Sequence, residues 1–142
     1  MAKQIENRKS GIPAGNAGEY FVMGELLRQG FDAQLAGRGT EGYDLLAGRG
    51  EEPSLRKIQV KTVRRAQSWW VKTANFKGNR LDQITVYVLL GPQDGNKPVR
   101  FFIAKNRDLK EHVHRPWHWK KNAFMPMKAV KRYENRWKAV LA

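Results

Sequence analysis

The sequence contains no cysteine, which excludes disulfide bonds, catalysis by a thiolate and zinc sites built on cysteine ligands. It has no apolar run near the ~20 residues that a membrane-spanning helix needs, and its first residues do not form a hydrophobic signal segment. Acidic residues are scarce, because 13 Asp and Glu stand against 27 Lys and Arg. These absences predict a soluble, cytoplasmic protein with a large excess of positive charge.

Apolar and aromatic residues are abundant enough to build one core. The 142 residues are 41% hydrophobic and include five Trp, four Tyr and six Phe, which argues against a disordered chain. The length is too short for two ordinary domains. We therefore expect a single domain over residues 1–142, with a polar, flexible segment at 1–12 and a basic, helical C-terminal part at 105–142.

The positive charge is concentrated in the second part of the chain. Residues 1–50 carry six Lys and Arg against six Asp and Glu, whereas residues 51–142 carry 21 against 7. Nucleic acid is the polyanion most suited to such a surface, because each neutralised phosphate releases counterions. A solvated face that keeps the protein soluble is one alternative, and an anionic membrane surface is another.

The hydrophobic pattern predicts a mixed α/β fold with one helix packed on a central sheet. The helix spans 14–29, with Pro13 in its first turn and Gly30 after its end; its glycines would let it lie close to the sheet. Five strands are predicted, and 64–80 reads as irregular. The strands cover 31–36, 43–47, 55–63, 84–90 and 99–104. A short helix at 106–114 and a basic amphipathic helix follow, and the apolar stripe of the second is Val130, Tyr133, Trp137, Val140 and Leu141.

Two acidic residues occupy positions where a carboxylate is unexpected. Glu19 lies roughly 120° from the solvent stripe of the first helix, among apolar positions. A carboxylate there needs a cation or a hydrogen-bond donor, unless the first turn frays and the acid only complements the helix dipole. Asp44 is predicted inside a strand, where aspartate is depleted.

The strand after Asp44 carries two polar side chains on one face. Gln59 and Lys61 point away from Ile58, Val60 and Thr62, ~6.6 Å apart along the strand. If this strand pairs with the strand of Asp44, the polar side chains converge on one spot. An amphipathic strand with a wet face is the alternative.

The order of these residues resembles the PD-(D/E)XK nuclease superfamily, which has the restriction-endonuclease-like fold. A helix carries an acid, a strand carries an aspartate, and a second strand carries Gln-x-Lys fifteen residues later. The resemblance is close over 15–63 and looser to about residue 110. It is most similar to the small branch of archaeal-type Holliday junction resolvases and compact homing-type endonucleases. The matching segments are Gly15-Asn16-Ala17-Gly18-Glu19, Gly42-Tyr43-Asp44-Leu45 and Ile58-Gln59-Val60-Lys61-Thr62.

The resemblance implies a role for each residue of the motif. It makes Asp44 the central ligand of Mg2+ or Mn2+, with Gln59, the backbone carbonyl of Val60 and Glu19 adding oxygens. Lys61 would orient or activate the attacking water and stabilise charge on the phosphate. The sequence departs from the pattern in two places, because Gln59 replaces a carboxylate and Tyr43 replaces the proline before the aspartate.

The basic part of the chain supplies candidate contacts to nucleic acid. Trp69 and Trp70 follow the Gln59/Lys61 strand and could stack on unpaired bases or cover the edge of the core. The candidate binding residues are Arg64, Arg65, Trp69, Trp70, Lys72, Lys77, Arg80, Lys120, Lys121, Lys131 and Arg132.

The sequence therefore predicts a metal-dependent DNA endonuclease that hydrolyses phosphodiester bonds in duplex or branched DNA. A homodimer is expected, since cutting both strands or a junction calls for two sites. The alternative is a nucleic-acid-binding protein that has the nuclease fold without its activity. A third interpretation, an RNA-associated structural protein, also suits the net charge of +14.

Overall fold

The computed structural model describes residues 11–37, 39–49, 55–65 and 67–138, with no side-chain detail for 11 and 12. The predicted flexible segment therefore lies almost entirely outside the described residues. The helices are α1 (Gly11–Arg28), α2 (Asn106–Leu109) and α3 (Met127–Val130). The strands are β1 (Asp32–Leu35), β2 (Leu45–Gly48), β3 (Arg56–Val63), β4 (Ser68–Lys72), β5 (Ile84–Leu89), β6 (Arg100–Lys105) and β7 (Asn122–Pro126). Short 3-10 turns cover Thr73–Phe76, Gly78–Asp82, Lys110–His112 and Lys131–Tyr133.

The predicted helix is confirmed as α1, which begins three residues earlier than expected. Pro13 lies in its first turn, where a missing N–H costs nothing. Gly30 follows its end with φ of +89°, a conformation that glycine adopts without strain. Within the described part of the chain, no helix has both the length and the apolar character to cross a bilayer.

The central sheet has the strand order β1-β2-β3-β5-β6. β3 and β5 run parallel, and the other neighbouring strands run antiparallel. All five strands were predicted, within two residues at each end. The mixed α/β class with a five-stranded sheet and an N-terminal helix is therefore confirmed.

Each face of the sheet supports its own hydrophobic core. On one face, Val22 and Leu26 of α1 pack against Ile58, Val86 and Ile103. The opposite core consists mainly of Trp69, Val71, Phe76, Tyr87, Phe102, Leu109, Ala123, Met125 and Val130. Since β5 and β6 contribute alternate residues to both cores, they are buried on both faces.

On the face of the central sheet opposite α1, a second layer contains a small sheet that the sequence did not reveal. β4 and β7 pair antiparallel, with Trp70 opposite Phe124. The prediction that 64–80 is irregular is thus wrong for 68–72. Alternation is present there, since Trp69 and Val71 face the core while Trp70 and Lys72 face solvent, but exposed tryptophan obscures it.

The predicted C-terminal amphipathic helix is wrong as one continuous element. α3 ends at Val130, and one 3-10 turn leads to Glu134, which bridges to Phe102 of β6. Asn135 has φ of +57° and donates its N–H to the Phe101 carbonyl at 2.9 Å. The chain crosses the end of the sheet here, because Val130 belongs to one core and Trp137 to the other. Val140 and Leu141 lie outside the described residues.

The predicted short helix at 106–114 is also shorter in the structure. α2 ends at Leu109, and a 3-10 turn continues to His112. His114 instead bridges to Phe124 of β7. The basic C-terminal part is therefore mixed turn, strand and short helix.

Gly18 determines how closely α1 approaches the sheet. A Cβ built on Gly18 would lie 1.8 Å from Thr62 Oγ1 and 2.9 Å from Thr62 Cβ, on β3. The predicted role of helix glycines is confirmed at this position. Gly15 and Gly24 have open space around a Cβ and play no such part.

Gly18→Ala should destabilise the protein by about 1–3 kcal/mol, because α1 or β3 must move to admit the methyl group. Urea unfolding followed by circular dichroism measures the change. Gly24→Ala is the matched control and should be neutral or stabilising by up to about 1 kcal/mol, since its Cβ meets nothing. Equal effects of the two substitutions would contradict the close approach.

Candidate active site

Asp44 lies at the point where two strands separate. It directly precedes β2 rather than lying inside it, which corrects the predicted boundary. Its N–H donates to the Ile58 carbonyl at 2.8 Å, and its own carbonyl accepts the Ala36 N–H at 2.8 Å. Its carboxylate Oδ2 accepts the Val60 N–H at 2.8 Å. A side chain thus continues the hydrogen bonding of β3 where the ladder with β2 ends.

Val60 therefore takes part in the site through its backbone N–H. In an extended strand, residues two apart direct their backbone groups to the same edge. Because the Ile58 carbonyl faces Asp44, the Val60 carbonyl is directed to that edge as well. Its role as a metal ligand stays a prediction.

Glu19 and Asp44 border the same cleft. The cleft has a volume of about 310 Å³ and lies between α1 and the loop that precedes Asp44, with Asn16, Tyr20 and Tyr43 also on its wall. Glu19 is half-buried and well inside α1, so it does not belong to a fraying first turn. Burial, and secondly the charge of Asp44, raise the pKa of the Glu19 carboxyl.

Lys61 is held on the other face of the sheet. It is half-buried, on the side of β3 that does not pack against α1. Burial lowers the pKa of the Lys61 ammonium, and the positive charge of Lys72 adds to this effect. Asp44 opposes it, which shows that the charges of Lys61 and Asp44 interact. A lowered pKa means that the Lys61 ammonium loses its proton more readily to give the neutral amine.

Gln59 has a fixed side-chain orientation. Its Oε1 accepts a hydrogen bond from Asn75 Nδ2 at 3.0 Å, and Asn75 Oδ1 accepts one from Arg80 Nη1 at 3.0 Å. A guanidinium can only donate, so Arg80 determines which way the Asn75 amide points. Gln59 consequently turns its carbonyl oxygen toward Asn75, which leaves one lone pair for another partner.

A buried polar network around Asn106 holds the segment of Asn75 and Arg80 in place. Asn106 donates to the carbonyls of Asn75 and Arg80, both at 2.9 Å, and accepts from Thr85 Oγ1 at 2.6 Å. Gly42 admits the guanidinium, since a Cβ there would lie 3.1 Å from Arg80 Nη2. Sequence reasoning missed Asn75 and Asn106, because no periodicity or motif marks a lone asparagine.

The side chains present fit a divalent cation in part. Two carboxylates and one amide oxygen are the kind of ligand that Mg2+ prefers. The raised pKa of Glu19 has the charge of Asp44 as one of its causes, which is a repulsion that a cation would relieve. Across the described ranges, however, no group of three His, Asp or Glu side chains gathers at one place.

One predicted contact to nucleic acid is wrong. Trp69 is fully buried, donates its Nε1–H to the Val88 carbonyl at 3.0 Å, and packs edge-on against Tyr87 and Phe102. Its indole is a core residue that no ligand can reach. Arg80 is half-buried and donates one guanidinium N–H to Asn75, and its contact to nucleic acid stays a prediction.

The remaining predicted contacts lie on the surface in several places. Arg64 and Arg65 follow β3 and border a groove with Lys97 and Arg100. Lys131 and Arg132 lie on the 3-10 turn that packs against β6. In the central sheet, β5 lies between β6 and β3. The exposed members of the predicted set are Arg65, Trp70, Lys72, Lys77, Lys120, Lys121, Lys131 and Arg132.

No protein-family model and no curated protein matches the sequence. Among solved structures, the chain is similar to Hjc, a Holliday junction resolvase from the archaeal hyperthermophile Archaeoglobus fulgidus. The two are 20% identical with a TM-score of 0.51, over 82% of this chain and 86% of that one. The chain therefore has the fold of this resolvase, and the restriction-endonuclease-like fold that the sequence predicted is confirmed.

Glu19→Gln should stabilise the protein at pH 7 by less than about 1 kcal/mol, a gain limited by solvent screening. Because the folded-state pKa of Glu19 lies above its ordinary value of 4.5, ionisation costs stability as pH rises through that window. The gain should therefore vanish below pH 4.5. Thermal unfolding of both proteins between pH 4 and pH 8 measures it.

The exposed acid Glu111 provides a control with the same change of net charge. Glu111→Gln should show no such dependence. A gain from Glu19→Gln that persists unchanged in acid would contradict the raised pKa of Glu19.

Proposed function

We propose that the protein is a metal-dependent endonuclease that hydrolyses phosphodiester bonds in DNA. The observation that carries this proposal is the position of Asp44, whose charge acts on both Glu19 and Lys61 at the open end of the β2–β3 pair. A carboxylate pair beside an amine of lowered pKa is suited to hydrolysis at a phosphate.

Asp44 and Glu19 would hold Mg2+ or Mn2+, with further oxygens from Gln59 and the Val60 carbonyl. When bound, the cation would supply Lewis-acid stabilisation of the negative charge on the phosphate. The Val60 N–H fixes the Asp44 carboxylate, and Asn75 fixes the Gln59 amide. Both side chains would thus be oriented before any ligand arrives.

Lys61 would act on the attacking water. Its neutral amine can accept a proton as the water oxygen bonds to phosphorus, and the resulting ammonium can stabilise charge on the phosphate. The bond from phosphorus to one sugar oxygen breaks in this step, and that leaving oxygen takes a proton from solvent water. Burial lowers the pKa of Lys61, which raises the fraction of neutral amine at a given pH.

The basic surface would hold the DNA backbone without reading its sequence. Residues 51–142 carry 21 Lys and Arg against 7 Asp and Glu, and most of the candidate contacts are exposed. A homodimer would bring two sites to a duplex or a branched substrate. The archaeal protein of similar fold is a Holliday junction resolvase, so branched DNA belongs among the substrates to be tested.

A DNA-binding protein without cleavage activity is the second candidate. Gln59 favours it, because an amide contributes no charge and already accepts a hydrogen bond from Asn75. This protein would bind DNA in a salt-sensitive way with no need for metal.

Cleavage assays on linear, supercoiled and four-way-junction DNA, with Mg2+, Mn2+ or chelator, test the proposal. Asp44→Asn and Lys61→Ala should each lower metal-dependent cleavage at least about 100-fold, since each removes a group that acts on the reacting phosphate. DNA affinity, measured in chelator by fluorescence anisotropy, should stay within a few fold of wild type.

Asp32→Asn, at an exposed aspartate on β1, is the matched control and should cleave normally. Cleavage that persists in both site variants would contradict the assigned site. Binding without cleavage on every substrate would favour the second candidate.

A further inference from the structure

The outer face of the β4–β7 sheet is aromatic where a solvent-facing sheet is usually polar. Trp70 and Phe124 are cross-strand neighbours on this face. Trp119 packs on Trp70, and His114 packs on Phe124. Trp117 lies two residues before Trp119 in the chain. We call Trp70, Phe124, Trp119 and His114 the aromatic face. Trp70 is 63% exposed and Trp117 is 90% exposed, which is costly surface unless something covers it.

The rings of the aromatic face contact one another in a row, and one pair of them is stacked. Trp70 and Trp119 lie nearly parallel, with centroids 4.9 Å apart and planes 18° apart. Trp119 meets Phe124 edge-on at 6.3 Å, and Phe124 lies 4.5 Å from His114. The stack holds Trp70 with a broad surface still open to solvent.

The loop that carries Trp119 is held at both ends. His114 and Phe124 exchange two backbone hydrogen bonds of 2.9 Å, and the Thr73 N–H donates to the Lys121 carbonyl at 3.0 Å. Arg115 Nη1 donates to the Trp119 carbonyl. These contacts pre-organise residues 115–121, so a ligand would pay little entropy to order them.

Exposed cations surround the aromatic face. Lys72 follows Trp70 by two residues on the same side of β4, and Arg115, Lys120 and Lys121 lie in the loop. The described side chains of that loop include no acid. Aromatic rings flanked by cations are complementary to nucleobases joined by phosphates.

The aromatic face lies on the outer side of the layer whose inner side covers Gln59 and Lys61. Gln59 and Lys61 project from the face of the central sheet that β4 and β7 cover. The chain runs from β4 through Thr73–Phe76 to Asn75, which bonds Gln59. Lys72 is close enough for its charge to affect Lys61.

We propose that the aromatic face binds unpaired bases of the DNA substrate, stacking a base on the exposed surface of Trp70. The preferred substrate would then be duplex DNA with a single-stranded arm, flap or unpaired junction bases. This inference rests on the proposed function, because it names the substrate of that site. Continuous duplex is disfavoured here, since paired bases hide their faces within the helix.

Binding is measured by fluorescence anisotropy in chelator, with a labelled blunt duplex and the same duplex extended by a ten-nucleotide arm. The extended DNA should bind about tenfold more tightly than the blunt duplex, which one stacked base can supply. Trp70→Leu should remove most of this preference while leaving affinity for blunt duplex nearly unchanged. Trp70→Tyr, which keeps a ring, should retain it.

Two controls separate stacking from charge and from folding. Phe21→Leu changes an aromatic residue on α1 that is 47% exposed, and it should leave the preference intact. Lys131→Ala should weaken binding of both DNAs by similar factors, because it removes an exposed cation on the turn against β6 rather than one beside the aromatic face. Thermal unfolding of each variant checks that the β4–β7 sheet is intact.

Equal affinity for the two DNAs in the wild-type protein would overturn the inference, and so would a preference unaffected by Trp70→Leu. Self-association that Trp70→Leu abolishes, without a preference for the arm, would assign the face to a second copy instead and overturn the inference too. Because binding is measured in chelator, absent cleavage with an intact preference would refute only the endonuclease.

Discussion

The hydrogen bond from the Val60 N–H to the Asp44 carboxylate organises the candidate site. Backbone groups of Asp44 are bonded to strands on both sides, so its side chain is the only part left to continue the pairing with β3. This places a negative charge at an opening between strands. Glu19 then faces it from α1 because Gly18 lets the helix approach Thr62 closely. The two acids therefore border one cleft, and the charge of Asp44 raises the pKa of Glu19.

The opposite side of the sheet contributes a different kind of constraint. Burial by the β4–β7 layer lowers the pKa of Lys61, and the network from Arg80 through Asn75 orients Gln59. Thus α1 contributes the carboxylate of Glu19 on one side of the sheet. On the other side, the second layer lowers the pKa of the Lys61 amine and orients the Gln59 amide. The aromatic face lies on the outside of that second layer, so cleavage chemistry and substrate recognition would share a framework.

Much of this could be predicted from the sequence where periodicity is strong. The five strands and α1 follow from their hydrophobic patterns, and Glu19, Asp44 and Lys61 stand out as charges in apolar surroundings. Asn75 could not be found, because its role depends on a contact sixteen residues away in sequence. The C-terminal helix was predicted wrongly from Val130 and Trp137 for a related reason. Their helical spacing is real, but tertiary pairing of Glu134 and Asn135 with β6 sends them to opposite cores.

The proposed function requires a divalent cation to bind at the opening beside Asp44. Anomalous diffraction from crystals soaked in Mn2+ tests it most directly, because the scattering locates the ion without reference to activity. We expect a peak within coordination distance of the carboxylates of Asp44 and Glu19, and its loss in Asp44→Asn crystals. A peak elsewhere, or none at an Mn2+ concentration that supports cleavage, would contradict the account.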